Sequence, residues 1–152
     1  MANSDDVTVS HFGICVSDAE RSKRFYTQAL GFEFTHAVDF AEPFDVLTEL
    51  AGLKGHAAFL VRGNTMIEVI SYDVPDVIGS ASRRPMNQLG FTHMSLIVDD
   101  LDTVAGRIEA FGGQVIRGTQ VNSSMGDAAY RIVYTTDPDG TRIELMEKTE
   151  LR

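Results

Sequence analysis

Two histidines and two glutamates in this sequence are placed where they could hold a metal ion: His11, Glu68, His93 and Glu144. Each is a polar residue inside an apolar, alternating stretch of the kind that forms strands. Alternation puts His11 with Gly13 and Cys15 on one strand face and Phe12, Ile14 and Val16 on the other; Glu144 likewise opposes Ile143 and Leu145. With the apolar neighbours turned toward a helical layer, the imidazoles and carboxylates face a shared interior. A buried carboxylate without a partner is costly there, and a divalent cation compensates it. Two imidazoles with two carboxylates make a borderline-to-hard donor set that suits one divalent ion, Zn²⁺, Ni²⁺, Co²⁺, Mn²⁺ or Fe²⁺, and leaves positions open for substrate.

The elements that must position these groups recur. Val7 to Val16 reads as a strand, Ser17-Asp18-Ala19-Glu20 as a capping box opening a helix through Leu30, and Gly31 as its stop. Phe91 to Val98 is again a strand. Acidic residues at Asp99 to Asp102 open a second helix, along which Leu101, Val104, Ala105, Ile108 and Phe111 fall at helical spacing before Gly112-Gly113. Three short strands follow each helix: Phe32 to Val38, His56 to Arg62 and Thr65 to Tyr72, then Gln114 to Gly118, Tyr130 to Thr136 and Thr141 to Glu147. Gly63-Asn64 and Asp139-Gly140 are the tight turns before each last strand. The expectation is an α+β fold of two βαβββ modules, 7–72 and 91–147, joined by a connector at 73–90. The modules would bury their bare sheet faces by forming one cupped, barrel-like mixed sheet. The histidine is in the first strand of each module and the glutamate in the last, and this repetition singles them out from ordinary core polar residues.

Length and composition fit one domain of 152 residues with no separate substrate domain. The net charge of −9 disfavours a nucleic-acid or anionic-membrane partner. No apolar run is long enough to span a membrane. Met1 to Asp6 is acidic and lacks the features of a secretion signal, so a cytoplasmic location is expected. One cysteine, Cys15, forbids an internal disulfide and reads as a packing residue. His36 and His56 have no counterparts in the other module and read as surface or structural. Arg83-Arg84 reads as a solvated pair that could also receive an anionic group of a substrate.

Several motifs together resemble the vicinal oxygen chelate, or glyoxalase I-like, superfamily. They are His11-Phe-Gly-Ile-Cys-Val-Ser-Asp18, Arg24-Phe-Tyr26 before Leu30-Gly31, Met66-Ile-Glu68, Thr92-His93 with Val98-Asp-Asp-Leu101, and Asp137-Pro-Asp-Gly140 before Ile143-Glu144. The resemblance runs from Val7 to Glu147. It implies a metal in the cup, a small-molecule substrate chelating it through adjacent oxygens, and a homodimer, with the metal held within one chain or between two. A fourth candidate ligand, Glu68, argues against the extradiol dioxygenases and fosfomycin-type transferases of that superfamily. A complete ligand set argues against its metal-free binding and resistance proteins. Glu68-Val-Ile-Ser-Tyr-Asp73 lacks the Tyr-Asn pair common in glyoxalases. The stretch Gly55 to Glu68 resembles acyl-CoA epimerases, so an epimerase is expected, acting on a methylmalonyl-CoA-like thioester or a cyclitol such as 2-epi-5-epi-valiolone.

Epimerisation needs a base on one face of a planar enolate and an acid on the other. Glu144 is the candidate for one of these. The glutamate that acyl-CoA epimerases carry just ahead of the third strand is replaced here by Leu53 and Lys54, which leaves Glu49, on a possible short helix from Phe44 to Gly52, and Glu68 as candidates for the other. Tyr72, Arg83, Asn87, Met125 and Tyr130 are candidates for substrate contact, in loops or strands around the site.

Overall fold

The computed structural model describes residues 7–149; the acidic start Met1 to Asp6 lies outside them. The chain divides into two compact units, one containing Phe32–Val77 with the residues up to Ala19, the other Glu20–Gly31 with Ile78 onward.

The first unit is a four-stranded mixed sheet in the order β1-β4-β3-β2, with β1 Phe12–Cys15, β2 Glu33–Phe40, β3 Lys54–Arg62 and β4 Thr65–Val74. β1 runs parallel to β4, and the other pairings are antiparallel. Gly63, at φ 56, turns β3 into β4 with Arg62 opposite Thr65, the two-residue hairpin expected at Gly63-Asn64. Ile67 and Val69 are fully buried on one face of β4, which leaves Glu68 on the other. Phe12 was expected among the apolar core residues, but it is 43% exposed. Cys15, expected to pack, is also exposed. A short helix α2, Phe44–Thr48, closes at Glu49 in left-handed conformation.

The second unit repeats the plan. β5 Met94–Val98 runs parallel to β9 Arg142–Thr149, which pairs antiparallel with β8 Ala128–Thr136. Where the first sheet has β2, the second has two pieces on β8: β6 Gln114–Val115 and β7 Val121–Met125, separated by a 3₁₀ turn at Arg117–Thr119. The strand expected at Gln114 to Gly118 is therefore shorter, and β7 is an additional strand, all five residues of which are exposed. Helix α3, Leu101–Ala110, is capped by Asp100, whose carboxylate accepts from the Thr103 N–H (2.9 Å) and hydroxyl (2.7 Å). Its inward face is Leu101, Val104, Ala105 and Ile108, as the spacing predicts.

The helix expected from Ser17 to Leu30 begins as α1, Ala19–Arg24, and changes to a π-helical turn over Phe25–Ala29. Thr27 donates its hydroxyl back to the Lys23 carbonyl at 2.8 Å, and Gly31 ends the segment at φ 72. The π turn buries Phe25, Tyr26 and Ala29 together. Gly113 accommodates Phe25: a Cβ there would lie 2.8 Å from its ring and would collide with the Thr136 carbonyl oxygen.

Tyr26 delivers its hydroxyl to Asp137 at 2.9 Å inside this core. The other oxygen of that carboxylate accepts from the N–H groups of Asp139 (3.0 Å) and Thr141 (2.8 Å), which shapes the Asp137-Pro-Asp-Gly140 turn. Burial pushes the Asp137 carboxyl up and these donors pull against it; burial, then the Asp137 charge, pushes the Tyr26 phenol well up. Arg21 ties α1 to the same turn through Asp139 at 2.7 Å. Among the described residues, no helix is long and apolar enough to cross a membrane.

Candidate functional site

The four candidate ligands are brought together as two pairs, one in each unit. In the first, His11 Nε2 lies 3.2 Å from Glu68 Oε2; in the second, His93 Nε2 lies 3.6 Å from Glu144 Oε2. Each histidine immediately precedes its unit's first strand, β1 or β5, and each glutamate lies on the strand parallel to it. The glutamate side chains keep only 19% and 15% of their exposure, so both carboxylates are largely desolvated and need a cation or strong donors nearby. Among the described residues, no group of three or more His, Cys, Asp or Glu side chains is gathered to hold a metal ion.

Both imidazoles are oriented alike. His11 Nδ1 is 3.0 Å from the Ser10 hydroxyl and His93 Nδ1 is 2.9 Å from that of Thr92, so Nδ1 can carry the proton and leave the Nε2 lone pair facing the carboxylate. The same local contact joins Thr35 and His36, so it follows from a hydroxyl residue preceding a histidine and does not by itself mark a ligand. An aromatic ring supports each imidazole edge-on: Phe59 at 5.5 Å from His11 and Tyr134 at 5.3 Å from His93. Strand register explains the match, since Phe59 is opposite Glu68 and Tyr134 is opposite Glu144. Each half thus fits two ligands of a divalent-cation site: one imidazole nitrogen, one carboxylate, and a ring that limits their motion.

The second pair has more partners. Ser95, opposite Glu144, donates its hydroxyl to Glu144 Oε2 at 2.7 Å. The Tyr134 phenol is pushed up, first by burial and then by the Glu144 charge and hydrogen bond, while the Arg142 guanidinium lies 5.7 Å over its ring and pulls the other way. Arg142 also donates to the Arg84 carbonyl at 2.9 Å. Ser95, Tyr134 and Phe59 did not stand out in the sequence; what marks them is register against a glutamate.

The other candidates are placed as follows. Tyr72 is on β4, edge-on to Phe40 at 5.9 Å, and alternation along the strand puts it on the face that carries Glu68; its phenol is pushed up by burial and then by the Cys15 and Glu68 charges. Glu49 is exposed at the end of α2, and among the described residues no hydrogen bond or ion pair joins it to His11 or Glu68. Arg83 and Asn87 are exposed in the segment between β4 and β5. Arg84 is structural, its guanidinium donating to the Leu89 carbonyl at 2.6 Å. Met125 is exposed at the end of β7, and Tyr130 is half-buried on β8 opposite Ser123 and Lys148. His36 is exposed and stacks on Phe59 at 4.6 Å.

His56 forms a separate cluster, with Asp39 at 2.6 Å on Nδ1 and Asp73 at 2.9 Å on Nε2. Its pKa is raised, first by the hydrogen bond to Asp39 and then by that to Asp73. Because the folded value is raised, the stability this cluster contributes is fully present below the unfolded histidine value of about 6.5 and is lost as pH rises through the folded one. Proton NMR of the His56 ring is expected to show a midpoint above that of a free histidine, and Asp39→Asn to bring it down. A midpoint that does not respond to Asp39→Asn would mean that the pair is not formed in solution.

Known proteins resemble this chain in sequence and in fold. The family profile described as Glyoxalase/Bleomycin resistance protein/Dioxygenase superfamily matches residues 8–145. The uncharacterized protein YaeR of Escherichia coli (strain K12) is 30% identical over 142 residues, covering 92% of this chain and 95% of that one. A probable chloroplastic lactoylglutathione lyase of Arabidopsis thaliana is 27% identical over 145 residues, covering 95% of this chain and 37% of that protein. Among solved structures, a glyoxalase family protein from Bacillus cereus superposes with a TM-score of 0.82 at 20% identity over 99% of both chains, a likeness of fold.

Proposed function

Because the chain belongs to the Glyoxalase/Bleomycin resistance protein/Dioxygenase superfamily, we propose that it is a metal-dependent enzyme that moves a proton next to a carbonyl of a small oxygen-chelating substrate, in the manner of an epimerase. The observation that carries this reading is the pair of matched His–Glu contacts, His11 with Glu68 and His93 with Glu144, at equivalent places in two sheets. We assign His11 with Glu68, and His93 with Glu144, as ligands of a divalent cation, held within one chain or between two chains of a dimer. The working form is a homodimer; exposed Phe12, Phe34, Phe91 and Ile97 supply apolar surface for association.

When bound, the cation supplies Lewis-acid polarisation of the carbonyl, worth several kcal/mol to a developing enolate. The protein supplies the rest. The imidazoles present Nε2 as fixed neutral donors. Phe59 and Tyr134 hold their planes and exclude water beside them. Glu68 and Glu144 are the groups able to take up and return a proton, and Glu49 would join them only if the α2 segment moved. Tyr72, beside Glu68, is the first candidate to contact substrate; Arg83, Asn87, Met125 and Tyr130 are candidates for setting specificity.

A glyoxalase I-type lyase is the second reading, favoured by the likeness to the probable lactoylglutathione lyase. Solvent deuterium exchange separates the two. The protein, purified with its metal content measured, is incubated in D₂O with methylmalonyl-CoA, 2-epi-5-epi-valiolone, or methylglyoxal with glutathione. Epimerase chemistry predicts metal-dependent deuterium incorporation into one of the first two with no thiol required, by a protein that elutes as a dimer. Turnover only with the thiol adduct selects the lyase. A chain that retains no divalent metal and exchanges none of these protons rules out both.

A further inference from the structure

The two half-sites share a plan but not their hydrogen bonds. Tyr134 and Ser95 stand opposite Glu144 on its two neighbouring strands; the same two places around Glu68 are held by Phe59 and Gly13. One glutamate is therefore flanked by two hydroxyl groups, the other by a bare ring and a residue without a side chain. Ser95 has a single hydroxyl proton, and its 2.7 Å contact to the Glu144 carboxylate, rather than the 3.2 Å one to Met146 Sδ, is the charge-assisted bond that holds it. Among the described residues, the polar contact made by the Glu68 side chain is to His11.

We infer that Ser95 and Tyr134 are positioning residues that pin the Glu144 carboxylate, so that the second half-site holds its carboxylate in one orientation and grips the ion more firmly than the first. The inference rests on the metal-dependent reading above. A carboxylate ligand held by outer donors keeps one orientation, and removing such a donor typically costs 10–100-fold in metal affinity. A carboxylate lacking those donors, as Glu68 does, would be held less firmly.

Gly13 allows a reciprocal test. It has an ordinary backbone conformation, and a Cβ built on it lies 3.8 Å from Glu68 Oε2 and 3.3 Å from the Ile70 Cδ1 methyl, a flexible neighbour that can yield. Gly13→Ser thus places beside Glu68 the hydroxyl that Ser95 places beside Glu144.

The test loads the purified full chain with Co²⁺ and reads affinity by chelator competition and the ligand field by its visible absorption, with a thermal melt as folding control. Ser95→Ala is expected to weaken Co²⁺ binding 10–100-fold and to shift the visible bands, and Ser95→Thr to restore both. Gly13→Ser is expected to tighten Co²⁺ by about tenfold, the effect of one hydrogen bond to a charged group. If Ser95→Ala binds Co²⁺ with the affinity and spectrum of the parent, or if Gly13→Ser changes neither, the inference is overturned while the metal reading stands. A parent chain that binds no Co²⁺ overturns the metal reading and the inference with it.

Discussion

Glu68→Gln is expected to lower turnover by roughly a hundred- to ten-thousand-fold, the range lost when a positioned acid–base group is removed. Co²⁺ affinity should fall less than in Glu144→Gln, because the pinned carboxylate contributes more to holding the ion. Glu144→Gln should lose metal first, by about a hundredfold or more, with turnover falling because the site is empty. The two variants therefore separate when kcat is measured at saturating metal: the part of the Glu144→Gln defect due to lost metal is relieved while its proton-transfer part remains, and the Glu68→Gln defect persists nearly whole. Deuterium exchange at the substrate carbon gives the same division without relying on net turnover. If Glu68→Gln exchanges at the parent rate at saturating metal, Glu68 is not the proton carrier.

The second large effect concerns stability. Asp137→Ala removes the acceptor of two backbone N–H groups in the turn and takes the Asp137 acceptor from the fully buried Tyr26 hydroxyl. At about 1–3 kcal/mol for each orphaned group that cannot reach water, the loss is roughly 3–5 kcal/mol, a fall in Tm on the order of 10 °C for a chain of this size. Asp137→Asn keeps an acceptor for the turn and a polar partner for Tyr26, so it should lose much less. Tyr26→Phe should cost about 1–2 kcal/mol, since the carboxylate retains its backbone donors. Calorimetric melts rank the three, and an Asp137→Ala protein as stable as Asp137→Asn would remove this network from the account of stability.

The α+β architecture was legible because polar and apolar residues alternate in β4, β8 and β9, because α3 has four inward residues at helical spacing, and because Gly63-Asn64 is a specific turn signal. The His–Glu pairs were legible for a related reason: an ionisable side chain between buried apolar ones, such as Glu68 between Ile67 and Val69, stands out, more so when the pattern recurs. What was missed depends on pairing. Val121-Asn-Ser-Ser-Met125 has Ser123 between Val121 and Met125 on one face and all five residues are exposed, so β7 exists because β8 supplies its hydrogen bonds and Gly126, at φ 60, turns one into the other. The π turn in the first helix is set by what Phe25 and Tyr26 bury against, which helix periodicity does not reveal. Ser95 and Tyr134 are unremarkable until strand register puts them opposite Glu144. β1 and β5 start later than expected, just after His11 and His93, because regular pairing with β4 and β9 begins only at Phe12 and Met94.

The unlike residues beside the two glutamates bear on why a tandem chain differs from two copies of one module. A symmetric pair built from a single short sequence would have to place the same side chains around both acids, making both rigid or both loose. Fusing the copies into one polypeptide lets each diverge alone, so one half can be tuned for retention and the other for exchange. Loss of that asymmetry in a redesigned protein with identical halves would force a compromise between grip and speed.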